Sequence, residues 1–379
     1  MESSRSLRVV LCAPGFPASA DDPDKPFLYD HATALVDAGL QVSVVCPASP
    51  GRPAHQTLGG IEIFRVRYAP RRLETLAATG AMYREARGLK ALLAIPMIVS
   101  MFVATIRELR KGPTVAYGHW WIPGGVVAVI AARLNGRPSI VHLHGSDATI
   151  TETLAMRKLA RLVLRMASER LAASEALAEW GRDLSSRNVR VLPMPLVFDR
   201  LPTPSPVPTD GFVLGVGRLV PEKGFDVLID ALACIGVKER PDLVVVGVGP
   251  ERHALAEQAA KAEVKLHLPG AVAPAELADW YRRARIVAVP SRREGFGLVA
   301  AEAAAAGRAV VGSAVGGIPV AVESGVSGLV VEPGNVDALA KALIDVDPDW
   351  GVNGPGRVSH LGTKPHGDFV RELCDKLLV

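Results

Sequence analysis

Short apolar runs alternate with longer stretches of helical spacing along this chain. Residues 8–13, 41–47, 115–119 and 139–143 are apolar almost throughout, and each is bounded by turn residues. Continuous apolar runs of this length predict buried parallel strands, because a strand covered on both faces has no polar side to show. Residues 61–67 alternate and predict a strand with one solvated face. Between the runs, residues 27–38 have helical spacing and stop at Gly39, a C-cap signal. The pattern repeats later: runs at 212–217, 242–247 and 286–289, with an alanine-rich helical stretch reaching Ala306.

Strands alternating with helices predict an α/β protein with doubly wound parallel sheets. A stretch with six prolines, residues 193–211, interrupts the pattern and predicts a linker. The expected domains are therefore 1–192 and 211–365, joined by 193–210, with a helix within 366–379 packing back on the first domain. In sheets of this kind ligands bind at the carboxyl ends of the strands.

Composition agrees with a packed protein: 379 residues, 49% hydrophobic and 22% charged. Arginine exceeds lysine, and alanine, glycine, proline and valine abound, which points to a GC-rich bacterial genome. Charge is uneven: residues 1–198 carry a net +8 and the remainder −4. The four cysteines, Cys12, Cys46, Cys234 and Cys374, form no CxxC pair. Free thiols in a reducing cytoplasm are the expected state, without a disulfide frame or zinc site. The first eight residues are polar and lead straight into a strand, with no signal-peptide core.

The uncharged apolar run at residues 91–106 is shorter than the roughly 20 residues of a spanning helix. Arg71, Arg72, Arg84, Arg87 and Lys90 precede it, and Arg107, Arg110 and Lys111 follow. These cations fit a helix on an anionic membrane surface, or a core helix with solvated ends. Residues 151–170 repeat the theme: Arg157, Lys158, Arg161 and Arg165 fall near one face, with Leu159, Leu162, Val163 and Met166 expected opposite.

Candidate chemistry collects at strand ends. Residues 290–302 read Pro-Ser-Arg-Arg-Glu-Gly-Phe-Gly-Leu-Val-Ala-Ala-Glu. A strand, a glycine-bearing turn and a helix start expose backbone N–H groups beside a positive dipole end, a site for anions or hydroxyls. Glu294 lies in that turn and Glu302 two helical turns on, so both carboxylates are expected to face one cleft. Arg218 ends the strand 212–217, and Lys223 comes just before Gly224 opens a helix. Two cations at a helix start suit a diphosphate. His119 and His144 lie at or just past strand ends, whereas His142 is expected to point to the face opposite His144, as a structural residue.

Gly295-Phe296-Gly297-Leu298 between the two glutamates resembles the paired-glutamate motif of retaining glycosyltransferases with the GT-B fold, most closely family 4, the glycosyl transferases group 1. Gly217-Arg218 with Lys223-Gly224, the turn at Gly247-Val248-Gly249 and the run His144-Gly145-Ser146-Asp147 resemble further motifs of that family. The resemblance implies two Rossmann-like domains with a cleft between them, the second holding a nucleoside diphosphate sugar, the first an acceptor. It implies that Arg218 and Lys223 take the diphosphate, with the backbone of Phe296, Gly297 and Leu298. Glu302 would hold the ribose and Glu294 the transferred sugar. His144 would approach the sugar hydroxyl at C6, and His267 would meet the base through its backbone. Gly15 and Gly247 are the glycines expected against the donor. In the loop after the first strand, Asp24 to Phe27 stand where family members often carry a Gly-Gly pair.

His119, Trp120 and Asp147 are candidates for the acceptor side. For His119 the alternative is a satisfied wall residue, and for Trp120 and Trp121 core packing. No cofactor and no metal are expected, since the two cations already face the diphosphate and Asp22 and Asp24 lie in a loop of the acceptor domain. The expected partners are a UDP- or GDP-sugar and a small-molecule or lipid-linked acceptor, not nucleic acid. Cell-envelope glycan or natural-product synthesis is the expected setting, in the cytoplasm or at the inner membrane face. Alternatives are a nucleotide-sugar epimerase and a non-catalytic nucleotide-sugar-binding subunit.

Overall fold

The computed structural model describes residues 7–76, 88–151 and 153–378. The cations Arg84 and Arg87 and most of the polar N-terminal stretch lie outside the described residues. In chain order the N-terminal elements are β1 (Arg8–Cys12), α1 (Pro26–Asp37), β2 (Gln41–Pro47), β3 (His55–Leu58), β4 (Ile61–Val66), α2 (Ala94–Leu109), β5 (Thr114–His119), α3 (Val126–Leu134), β6 (Ser139–Leu143), α4 (Leu154–Met166), β7 (Glu169–Ala172), α5 (Glu175–Ser185) and β8 (Arg190–Val191). There follow β9 (Phe212–Val216), α6 (Phe225–Ala233), β10 (Leu243–Val246), α7 (Arg252–Lys261), β11 (Leu266–Gly270), α8 (Pro274–Arg283), β12 (Ala284–Val289), α9 (Leu298–Ala305), β13 (Val310–Ser313), β14 (Gly328–Val331), α10 (Val336–Asp345) and, last, α11 (Thr363–Leu378).

The chain divides into two compact units. Unit 1 is Met1–Pro195 with Thr363–Val379, and unit 2 is Leu196–Gly362. The sheet of unit 1 runs β3-β4-β2-β1-β5-β6-β7-β8. Its pairings are parallel except β3 on β4, a polar antiparallel edge that the apolar pattern did not signal. Val9 and Leu11 point to one face, where α1 and α11 bury Leu28, Leu35, Val370 and Leu373. Val10 and Cys12 point to the other, against Met97, Met101, Val127 and Ala131 of α2 and α3. Both faces of β1 are covered, which is why its sequence shows no polar alternation.

The sheet of unit 2 is parallel throughout, in the order β11-β10-β9-β12-β13-β14. In each unit the chain leaves the first strand in one direction and later returns to its other side. The points of reversal fall between β1 and β5, and between β9 and β12. Loops diverge there and leave a crevice at the carboxyl ends of the strands.

Two expectations change. The proline-rich stretch expected as a linker is held by unit 2 from Leu196 onward. The Leu196 N–H donates to the Leu361 carbonyl at 2.8 Å, and the buried Arg308 donates to Ser205 Oγ at 2.7 Å. A proline lacks a donor but not an acceptor, and a buried guanidinium supplies donors to such a segment. The final helix begins at Thr363 rather than near 369 and packs on α1. Its Gly367 approaches α1 so closely that a Cβ there would lie 2.2 Å from the Ala34 carbonyl oxygen.

Candidate functional site

In unit 2 the reversal point is a corner of two turns. One follows β9 and carries Arg218 and Lys223; the other follows β12 and carries Glu294. Lys223 Nζ lies 2.5 Å from Glu294 Oε2, although 71 residues separate them. Ser291 Oγ donates to the same carboxylate oxygen at 3.2 Å, and the Gly295 N–H donates to Oε1 at 3.2 Å. Arg218 is exposed and has no ion-pair partner among the described residues.

Glycine shapes both turns. Gly224, at the start of α6, has φ +68°, and a Cβ there would lie 2.1 Å from the Pro290 carbonyl oxygen. Gly297, at the start of α9, has φ +91°, and a Cβ would lie 2.7 Å from Ile318 Cγ1. Only glycine adopts these conformations at such close approach. Both helix starts therefore keep their first N–H groups facing out, beside a partial positive charge.

The two turns are clamped by residues that sequence reasoning left out. Arg292 forks Asp226 with bonds of 2.7 and 2.6 Å and donates to the Pro221 carbonyl at 2.8 Å. Its backbone N–H meets the Glu222 carbonyl at 2.9 Å. Burial pushes the Asp226 carboxyl up, but the Arg292 hydrogen bonds and charge outweigh that and leave it below the usual range. Glu302, on α9, accepts from the hydroxyl of the buried Tyr281 at 2.7 Å. Burial first, and Glu302 second, hold that phenol far above its usual value, so it stays a donor. Neither pair stands out by spacing; Arg292 and Asp226 are 66 positions apart. Gly247 makes a tight turn after β10, its N–H bonded to the Gly270 carbonyl at 2.8 Å. His267, on β11, is exposed.

In unit 1 the reversal point gathers rings instead of charges. His119 ends β5 and pairs in register with His142 of β6. His119 Nδ1 lies 2.9 Å from His144 Nε2. His31 of α1 stands edge-on to His119, with centroids 4.8 Å apart, and its Nδ1 lies 2.7 Å from Nε2 of His366 on α11. Burial drives the pKa of His31, His119 and His144 well below 6.5, and neighbouring imidazoles add to it. His142 falls to about 3 and His366 to about 4, again chiefly through burial. All five rings are neutral at ordinary pH. His144 is half-buried, and its Nδ1 has no partner among the described residues.

Three sequence expectations are corrected here. His142 and His144 do not part to opposite faces; their ring centroids are 4.5 Å apart, as the strand period of two requires, since it sets residues i and i+2 on one face. His119 is fully buried and touches His144, so it cannot itself reach an acceptor. Asp147 is also fully buried: Oδ1 accepts from the Trp121 N–H at 2.8 Å and Oδ2 from the His144 N–H at 2.6 Å. Burial raises its carboxyl to about 6 against those hydrogen bonds. It holds the backbone of His144 rather than a ligand. Trp120, at φ +59°, is half-buried with its ring against His144 and Phe27.

Ring nitrogens of His119, His142 and His144 lie within 4.8 Å of one another. Both nitrogens of His142 are already taken, by the Tyr117 hydroxyl and the Leu192 carbonyl, each at 2.8 Å. The cluster is thus a hydrogen-bonded network as it stands. In the loop after β1, Lys25 Nζ lies 3.3 Å from where a Cβ of Gly15 would be, and Lys25 is paired with Asp24 at 2.6 Å. An ammonium therefore stands beside the glycine of that loop.

Comparison with known proteins supplies the family context. Residues 26–197 match the description "Glycosyl transferase 4-like domain", and residues 201–350 match "Glycosyl transferases group 1". The chain is 31% identical over 366 residues to D-inositol 3-phosphate glycosyltransferase 1 of Catenulispora acidiphila, covering 85% of this chain and 82% of that one. It is 42% identical over 168 residues to the D-inositol 3-phosphate glycosyltransferase of Kribbella flavida, a match that spans 39% of that relative. Among solved structures, sucrose-phosphate synthase from Thermosynechococcus elongatus superposes with TM-score 0.77 at 20% identity, covering 98% of this chain and 99% of the other. HepE of Anabaena, solved in complex with UDP-glucose, superposes with TM-score 0.74 at 20% identity, over 98% of this chain and all of the other. The two parallel α/β units are those of the GT-B fold.

Proposed function

The chain belongs to the glycosyl transferases group 1, and from that premise we propose that it moves a sugar from UDP to an acceptor hydroxyl with retention at the anomeric carbon. The observation that carries this reading is the corner of unit 2. Lys223 and Glu294, an ammonium and a carboxylate from two distant turns, meet between two helix starts, and Arg218 is exposed on the first turn. Such a corner suits a ligand with phosphate and hydroxyl groups side by side. That the Anabaena neighbour binds UDP and UDP-glucose supports UDP as the nucleotide.

In this mechanism the acceptor oxygen attacks the anomeric carbon as the bond to the β-phosphate oxygen breaks. The leaving diphosphate keeps the electron pair, and a phosphate oxygen takes the acceptor proton on the same face of the sugar. The protein's main task is to stabilise the growing charge on that diphosphate. Lys223, Arg218 and the N–H groups at Phe296, Gly297 and Leu298 are assigned to it. Glu294 takes hydroxyls of the sugar and Glu302 those of the ribose; in unit 1, the neutral His144 offers its Nδ1 to a ligand hydroxyl. The acceptor is assigned to unit 1, with Trp120 as a ring for it and Lys25, in the loop after β1, as a cation for a phosphorylated alcohol such as the relatives' names describe. The four free cysteines, three of them buried, support a cytoplasmic setting.

Calorimetry with UDP and UDP-glucose tests the donor site, and mass spectrometry of products with polyol phosphates tests transfer. Binding of UDP that Lys223→Ala leaves unchanged would overturn the assignment.

A further inference from the structure

Three helices of unit 1 carry an unusual surface. α3 packs against both α2 and α4, so the three form one layer. On α2, Ile95, Val99 and Val103 follow one another at four-residue spacing and are 66, 53 and 41% exposed. The opposite face of the same helix buries Met97 and Met101 against the sheet. Leu92 extends the exposed row in one direction and Arg107 in the other. On α3, Ile130 and Leu134 are exposed beside Arg133. On α4 the sequence pattern set Leu159, Leu162, Val163 and Met166 opposite the cations. The structure buries Val163 together with Ala160 and Leu164, and leaves Leu154, Leu159 and Leu162 outside among Arg157, Lys158, Arg161 and Arg165.

The charges of this layer have one sign. Its only carboxylate among the described residues, Glu108, is buried and bonded to Ser43 and Lys111. Other helices of the same unit are mixed: α5 exposes Glu175, Glu179 and Asp183, and α11 exposes Asp368 and Glu372. Solubility alone does not call for a surface of leucine, isoleucine and valine studded with cations only. A second copy of this layer would meet the first with like charges, which is costly in a closed interface.

We propose that the α2-α3-α4 layer docks on an anionic lipid leaflet, with the exposed aliphatic side chains entering the headgroup boundary and Arg107, Arg133, Arg157, Lys158, Arg161 and Arg165 meeting lipid phosphates. Segment 90–109 is long and apolar enough to cross a membrane, but its inner face packs on β1, β2 and β4, so it lies along the bilayer. Aliphatic insertion and cation attraction act together here, as two weak signals that jointly hold a protein at a surface. The inference stands apart from the transfer reaction, since docking needs neither donor nor acceptor.

The test is co-sedimentation of the full chain with vesicles of phosphatidylcholine containing phosphatidylglycerol, against vesicles of phosphatidylcholine alone. Binding is expected to the anionic vesicles only and to weaken as salt rises. Arg157→Glu with Arg161→Glu removes two cations and adds two anions, which should cut the partition coefficient by about 100-fold or more. Val99→Asn with Leu162→Asn should cut it by about tenfold without changing the charge. Neither pair touches the corner of unit 2 or the histidines, so activity on a soluble acceptor should persist in both. Equal sedimentation with the two vesicle types would overturn the proposal. So would a dimer in sedimentation velocity that the same variants dissociate, which would give the layer to a second copy.

Discussion

Unit 2 and unit 1 each build a polar site at the reversal point of a parallel sheet, but by opposite means. At Lys223 and Glu294 full charges are kept, each side chain partly exposed and each balanced by the other. At His31, His119, His142, His144 and His366 burial removes charge, neighbouring imidazoles add to it, and the neutral rings bond to one another and to backbone. A growing negative charge needs cations already in place, whereas a sugar hydroxyl needs only a donor or acceptor held still. The difference teaches that the charged site is tuned by its partners and the neutral one by the dryness of its surroundings.

Acid should separate the two most strongly. A buried histidine with a depressed folded value binds fewer protons than the unfolded chain, so its stabilising share is present near neutrality and is lost as pH falls below about 6.5. For His142, near 3, and His366, near 4, the loss is about 1.4 kcal/mol per pH unit each over the window between the folded and unfolded values. Asp147 works the other way: with its carboxyl raised to about 6, the folded state takes up a proton first and gains stability as pH drops through that value. It offsets one histidine, not five. Hydrogen exchange at pH 7 and pH 5 should show protection lost in β5 and β6 before β9 and β12. Equal loss in both sheets would break the comparison.

Next in size is Lys223→Ala, which should lower turnover by at least about 100-fold, the range for removal of one oxyanion contact. Circular dichroism should show the fold intact, because the pair is partly exposed and either partner alone can be solvated. Unchanged turnover would remove Lys223 from the charged site. Glu302→Ala should weaken UDP binding by about tenfold or more in calorimetry, from loss of a charge-assisted hydrogen bond. It also strands the Tyr281 hydroxyl, so Tyr281→Phe is the control, expected to change affinity by only a few-fold.

The smallest effect tests the neutral site. His119→Ala removes the partner of His144 Nε2 and should lower kcat by about tenfold with little change in donor KM, the signature of a lost orientation rather than lost binding. Asn at 119 offers an amide near the position of Nδ1 and should restore most of the rate. A raised KM with kcat preserved would mean that His119 acts on binding instead.

Much of this was legible in the chain alone. Parallel strands announce themselves as short apolar runs because both faces are buried, and the corner of unit 2 announces itself because glycine and cation must fall at set positions beside a helix start. Local backbone geometry imposes those positions, so they survive in one dimension. Two expectations failed: His142 and His144, two residues apart, share a face under the strand period and were never to be separated by it, and helical spacing could not say which side of α4 faces inward. A helix's inner face is chosen by its neighbours.

Only the tertiary structure could bring His366 of the last helix to His31 of the first, 335 residues away, or set Arg292 on Asp226 and Tyr281 on Glu302. These pairs rest on packing between distant elements, and no local spacing encodes packing at that range. The residue types at the charged corner came from sequence; whether a polar group is kept charged or made neutral was decided by burial, which exists only once the chain has folded.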